Sequence, residues 1–300
     1  MITAKNLTKR FDDITALDDV TLTIKDQNVF GLIGTNGAGK STFLKLCAGI
    51  MQPDSGSIQI DNTDIYENLA VKEKFFYISD EQYFLSNTTP EEMKNFYKTI
   101  YKHFDETRFY HLMNAFDLNP NRKIKTFSKG MKKQVSVICG VCTRTQYLFC
   151  DETFDGLDPV IRQVIKSLFA QDIEERGLTP IIASHNLREI EDICDNVGIL
   201  HKGGMLLSKD LEHLRGDIHK VQIVFKSESD LATIKQQLDI VKEESRGTLF
   251  VLTIRGDSES IHQKLQGVQP TFFEMLPLTL EEVFIVETEV KGYDIKSLIL

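Results

Sequence analysis

Nine consecutive residues, Gly34-Thr35-Asn36-Gly37-Ala38-Gly39-Lys40-Ser41-Thr42, have the types and spacing to hold a polyphosphate. They fit the pattern G-x-x-x-x-G-K-[ST]. The glycines let backbone N–H groups crowd around phosphate oxygens where a side chain would clash. A helix beginning near Lys40 adds partial positive charge. In this pattern Lys40 reaches the β- and γ-phosphates of a nucleotide, and the Ser41 hydroxyl sits on Mg²⁺.

A second candidate lies at Tyr147-Leu148-Phe149-Cys150-Asp151-Glu152, an apolar run ending in two acids. A carboxylate at the end of a buried parallel strand beside a phosphate loop is placed to hold hydrated Mg²⁺, which suits Asp151. Glu152 points differently and is placed to orient or deprotonate water. Without the phosphate loop, the same pair would read as strand-end acids in a solvated turn.

These groups need a scaffold. Val29 to Ile33 reads as a buried strand leading into the loop, and Ser41 to Ile50 as the helix leaving it. Short strands are expected at Ile2–Leu7, Val20–Ile24, Ser57–Ile60 and Phe75–Ser79, with Asp12-Asp13 and Asp18-Asp19 in turns. Thr89-Pro90-Glu91-Glu92 opens a helical stretch to about Leu118, and Ser128 opens another helix. Strand, helix, strand and helix follow at Tyr147–Cys150, Val160–Arg176, Pro180–Ser184 and Leu187–Cys194. This alternation indicates an α/β fold with a parallel central sheet. After a break from Gly203-Gly204 to Gly216 the order becomes β-α-β-β-α-β, that of a small ferredoxin-like domain. The expected domains are 1–215, with a helical part at about 85–145, and 216–300.

Composition narrows the class. With 41% hydrophobic residues in a 300-residue chain, a sizeable core is assured. No apolar run approaches the ~20 residues needed to cross a bilayer. The first residues carry no signal-peptide core, so a soluble, cytoplasmic protein is expected. A formal net charge of −9 argues against a nucleic-acid partner. Five cysteines suggest no disulfide framework. Cys139 and Cys142 form a C-x-x-C within an apolar helix and are expected to pack rather than bind metal.

The run Asp151-Glu152-Thr153-Phe154-Asp155-Gly156-Leu157-Asp158-Pro159 resembles the Walker B and D-loop of ATP-binding cassette (ABC) proteins, usually D-E-P-x-x-G-L-D-P. Phe127-Ser128-Lys129-Gly130-Met131-Lys132-Lys133-Gln134 is similar to their signature sequence. His185 falls where the family's switch histidine follows a strand, and Phe11 where an aromatic meets adenine. The ordered set covers about residues 1 to 210.

This resemblance implies an ABC-type P-loop ATPase: a RecA-like parallel core, an N-terminal antiparallel β part and a helical subdomain. It implies ATP and Mg²⁺ as cofactors and two cassettes closing head to tail over two ATP molecules. Asn36, Gly37, Ala38, Gly39, Lys40, Ser41 and Thr42 of one cassette would bind the phosphates. Ser128 and Gly130 of the other would clamp the γ-phosphate from a helix N-terminus. Glu152 would activate water, His185 would hydrogen-bond the γ-phosphate, Asp158 would join the two sites, and Phe11 would stack on the base. There are departures from the family pattern. Lys129 stands for a glycine, Met131 for glutamine and Thr153 for proline. Asp80 occupies the Q-loop position, with Gln82 two residues later. Either Asp80 or Gln82 is a candidate for the Mg²⁺ contact made there.

One cassette without a membrane span resembles the ATP-hydrolysing subunit of a bacterial exporter, bound peripherally on the cytoplasmic side of the membrane. Its partners would be a separate integral membrane subunit and a second cassette, the same or different. Tyr83-Phe84-Leu85 lies where such a subunit docks, although these side chains also suit a core. Leu278-Thr279-Leu280-Glu281-Glu282-Val283-Phe284 resembles tails of drug and antimicrobial-peptide exporter ATPases. The alternatives are a soluble ABC ATPase that remodels nucleic acid or ribosomes, and a regulatory binding role for residues 217–300.

Overall fold

The computed structural model describes residues 1–211, 218–276 and 278–290. Two compact units emerge, the first Met1–Ser208 and the second beginning at Lys209. The expected 215/216 boundary lies outside the described residues.

The first unit contains two sheets. Strands β1 (Ile2–Phe11), β2 (Ile14–Ile24), β4 (Ser55–Ile60) and β5 (Thr63–Asp64) form one sheet in the order β2-β1-β4-β5, with antiparallel pairing throughout. The other sheet runs β10-β9-β3-β8-β7-β6, from β3 (Phe30–Ile33), β6 (Phe75–Ile78), β7 (Tyr147–Asp151), β8 (Thr179–Ser184), β9 (Asn196–His201) and β10 (Gly204–Asp210). The pairs β3–β8, β3–β9, β6–β7 and β7–β8 are parallel. Every residue of β3, β7 and β8 is buried, as strands covered on both faces require.

Register decides where chemistry can occur. Ile33 lies opposite Ser184, and Asp151 opposite Ala183. The carboxyl ends of three neighbouring strands, β3, β8 and β7, therefore meet at one edge of the sheet. The loop at Gly34, the residues after Ser184 and the Asp151-Glu152 pair all emerge there. Helix α1 (Lys40–Cys47) leaves the loop, and α2 (Leu69–Lys72) is a single turn before β6.

Residues 89–118 form two helices rather than one, α3 (Pro90–Ile100) and α4 (Glu106–Ala115). Asp105 explains the break: its side chain accepts the Arg108 N–H at 2.9 Å and starts a new helix. Helices α5 (Lys129–Cys142), α6 (Pro159–Arg176) and α7 (Leu187–Glu191) complete this unit. Asp18 and Asp19 lie within β2 and not in a turn. A bulge accommodates them, with Asp19 at φ 52° and its N–H donated to Thr8 Oγ1. Residues 203–204 belong to a hairpin, not a linker. Lys202 and Gly203 have φ of 46° and 81°, a tight turn between the β9 and β10 strands that the expected break had hidden.

The second unit runs β11 (Ile218–Val224), α8 (Glu228–Gln237), β12 (Asp239–Arg246), β13 (Leu249–Arg255), α9 (Ser258–Gly267), β14 (Phe272–Leu276) and α10 (Leu280–Val290). Its sheet is antiparallel in the order β12-β13-β11-β14, the ferredoxin-like arrangement. Val221, Ile223, Leu252 and Ile254 from the sheet pack with Ile234 and Ile261 from the helices.

Among the described residues, no helix is long and apolar enough to cross a membrane. All five cysteines, Cys47, Cys139, Cys142, Cys150 and Cys194, are free and buried.

Candidate active site

The loop after β3 is shaped by its glycines. Gly37 and Gly39 have φ of 79° and 105°, in the region that favours glycine. A Cβ on Gly39 would sit 2.4 Å from the Ala16 carbonyl oxygen of β2, so the loop is braced by the first sheet. A Cβ on Gly37 would meet nothing within 4 Å, leaving that side of the loop open to a ligand. Asn36 is exposed at the tip, and Ala38 is buried with its N–H donated to Thr35 O at 3.0 Å. Thr42 lies in the first turn of α1.

Lys40 curls back into this loop. Its Nζ donates to Gly34 O at 2.8 Å and Thr35 O at 3.3 Å, and lies 3.3 Å from Glu152 Oε1. The other carboxylate oxygen, Glu152 Oε2, is 2.9 Å from His185 Nδ1. A carboxylate only accepts, so Nδ1–H is the donor. The neutral ring then offers Nε2 as an acceptor, and the doubly protonated ring offers it as a donor. Glu152 has φ 47°, a left-handed conformation that is costly for a side-chain-bearing residue and common at active sites.

Ser41 Oγ donates to Asp151 Oδ1 at 2.9 Å, and the Tyr77 hydroxyl donates to Asp151 Oδ2 at 3.0 Å. Burial pushes the Asp151 carboxyl above the ordinary carboxylate range. The Ser41 and Tyr77 hydrogen bonds oppose that rise, and the charges of Glu152 and Asp80 add to it. A cation here would relieve the repulsion. The oxygen-only donor pair Ser41 and Asp151 suits Mg²⁺, which takes one or two protein ligands and completes its shell from phosphate and water. Among the described residues, no group of three or more His, Cys, Asp or Glu is placed to hold a metal by itself.

The other predicted residues make contacts of their own. Phe11 ends β1 and is 40% exposed, with Lys9 Nζ 5.6 Å from its ring centroid. The Ser128 hydroxyl caps α5 by accepting the Met131 N–H at 3.2 Å, and Asp158 caps α6 by accepting the Ile161 N–H at 3.0 Å. Gly130 lies beside the D-loop: a Cβ on it would be 3.6 Å from Gly156 O. Lys129 is exposed and 4.0 Å from Asp155. Neither Q-loop candidate is hydrogen-bonded to Ser41 or Asp151. The Asp80 carboxylate faces Lys133 Nζ at 3.5 Å, and the Gln82 amide donates back to Ser79 O and Asp80 O.

The family model for ABC transporters matches residues 17–155. The ABC transporter ATP-binding protein YtrB of Bacillus subtilis is 32% identical over 96% of this chain and 98% of its own length. This chain belongs to the ABC transporter ATP-binding family. As an ABC ATPase it shares 28% identity with the bacitracin transport ATP-binding protein BcrA of Bacillus licheniformis, over 72% of this chain and 71% of that one. A solved ATP-binding subunit of an ABC transporter superposes on this ABC chain with a TM-score of 0.66 at 27% identity, covering 72% of this chain and 92% of the other.

Two residues of this ABC site escaped sequence reasoning. Tyr77 sits in an apolar strand, where its hydroxyl gave no signal. Lys133 lies in a lysine-rich run typical of a solvated helix face, yet it is fully buried beneath Glu152.

Proposed function

We propose that this ABC ATPase drives export of a drug-like or peptide substrate through a separate integral membrane subunit, working from the cytoplasmic side as one of a pair of cassettes. The observation that carries the hydrolytic half is the Glu152 carboxylate, seated between Lys40 and His185 at the mouth of the phosphate loop. The name of the bacitracin relative supports the transport half.

In this reading the loop N–H groups from Asn36 to Thr42 and the Lys40 ammonium bind the phosphates of ATP. Ser41 and Asp151 would hold Mg²⁺, whose role is to neutralise charge building on the phosphate oxygens. Glu152 accepts a proton from the water that attacks the γ-phosphorus, and the bond from that phosphorus to the ADP oxygen breaks. His185 fixes the carboxylate and faces the γ-phosphate. Ser128 and Gly130, at the N-terminus of α5, serve the phosphate held by the second cassette. Asp158 links the paired sites. Phe11, partly exposed, stacks on adenine, a contact worth roughly 1–3 kcal/mol. The second unit acts as an accessory domain that stabilises the pair.

The test is purification of the native complex from membranes and its reconstitution in proteoliposomes. A polytopic partner and ATPase activity raised by a peptide antibiotic are expected. Co-purification with ribosomes and no membrane protein would overturn the transport reading.

A further inference from the structure

Lys133 is a fully buried cation. It sits in the second turn of α5 with no exposed surface, and its ammonium touches two functional loops at once. Nζ donates to the backbone carbonyl of Glu152 at 2.5 Å and lies 3.5 Å from Asp80 Oδ1 in the Q-loop. A buried ammonium is kept only where it is paired and hydrogen-bonded. Here the countercharge comes from Asp80, which stands where the family usually has glutamine.

The contact with Glu152 has a mechanical meaning. Glu152 holds a left-handed backbone at φ 47°, which relaxes unless its surroundings over-determine it. Its N–H donates to Ala183 O on β8 at 2.9 Å, and its carbonyl accepts from Lys133. Both peptide groups flanking the Glu152 Cα are therefore pinned. With the Cα fixed, the side chain leaves in one direction, toward Lys40 and His185.

We infer that Lys133 is a positioning residue: it locks the Glu152 main chain so that the carboxylate faces the attacking water, and through Asp80 it ties that carboxylate to the Q-loop. Asp80 thereby serves as the counter-ion of Lys133, in place of the Mg²⁺ contact expected at the Q-loop. The inference rests on the assignment of Glu152 as the base.

The test compares Lys133→Met, which keeps the length and loses the donor, with Lys133→Gln, whose amide can still donate to the Glu152 carbonyl. Misplacing a reacting group by about 1 Å costs up to roughly 100-fold in rate. Lys133→Met is therefore expected to lower kcat by about 10- to 100-fold while leaving the KM for ATP within about twofold. Lys133→Gln should recover part of the loss. If Lys133→Met gives too little folded protein, Lys133→Gln and Asp80→Asn supply the same split between kcat and KM. A second readout needs no turnover. In nucleotide-free protein, the His185 ring-nitrogen NMR signals should move in Lys133→Met in the same direction as in Glu152→Gln, because the carboxylate leaves Nδ1 in both. Unchanged His185 signals with wild-type kcat in Lys133→Met would overturn the positioning role. Normal turnover in Glu152→Gln would instead overturn the assignment of the base, so the two failures are distinguishable.

Discussion

Ser41 and Asp151 are 110 positions apart in the chain, yet the serine hydroxyl donates to the carboxylate at 2.9 Å. The parallel register of β3, β8 and β7 produces this meeting, because it delivers the phosphate loop and the acid pair to one edge. On the proposed Mg²⁺ role, Asp151→Asn removes one anionic ligand and keeps the shape. The Mg²⁺ concentration giving half-maximal ATP binding should rise at least about tenfold, and binding measured in excess EDTA should change little. Titration calorimetry with and without Mg²⁺ checks this.

On the proposed mechanism, Glu152→Gln keeps the contacts to the phosphates and loses the proton acceptor. Turnover should fall by about 10²–10⁴-fold, ATP binding should persist, and light scattering should detect an ATP-dependent dimer. Lys40→Ala should act on the other quantity. It removes a buried cation from the loop, and a charged hydrogen bond is worth about 1.5–3 kcal/mol. Its dissociation constant for ATP should therefore rise about 10- to 150-fold. Fluorescent-nucleotide titration of both variants separates binding from turnover.

Gly37 and Gly39 should respond differently to the same substitution. Gly37→Ala meets only the backbone penalty of positive φ, about 1–2 kcal/mol, because nothing lies within 4 Å of the new methyl. Gly39→Ala adds a collision 2.4 Å from Ala16 O, an atom fixed in β2. Its melting temperature should fall well below that of Gly37→Ala.

Helix α3 opens with a reciprocal cap: the Thr89 N–H donates to Glu92 Oε2 at 2.7 Å, and the Glu92 N–H donates to Thr89 Oγ1 at 3.2 Å. The bond from the Thr89 backbone, with help from Lys123, holds the Glu92 carboxyl below its ordinary value of 4.5. A lowered carboxyl stabilises the fold above its unfolded value, and that contribution disappears as pH falls through the lower folded value. Glu92→Gln should therefore melt earlier than the parent at pH 7, and the gap should close in acid. Thermal unfolding across pH 2–7 measures it.

The phosphate loop was legible because its chemistry is contiguous, and the buried strands because their apolar runs are unbroken. The ordered motif set singled out Glu152 and His185, but not the contact between them. What stayed hidden depended on distant partners. Lys133 reads as a surface lysine until Glu152, far along the chain, supplies a carbonyl for it. The hairpin at Lys202-Gly203 reads as a break because its turn residues suit one. Asp18 and Asp19 looked like turn formers, and only the pairing of β2 with β1 shows the bulge that absorbs them. Nor does the chain order reveal that Asp80 faces Lys133.

The burial of every native thiol has a practical consequence. Burial pushes Cys142 and Cys150 up to about 12, and the unreactive protonated form dominates at neutral pH. Maleimide dyes should thus ignore the folded wild-type chain. One added surface thiol, such as Ser167→Cys on α6, would take the label alone, so the approach of two cassettes can be watched by fluorescence without first stripping the protein of its own sulfur.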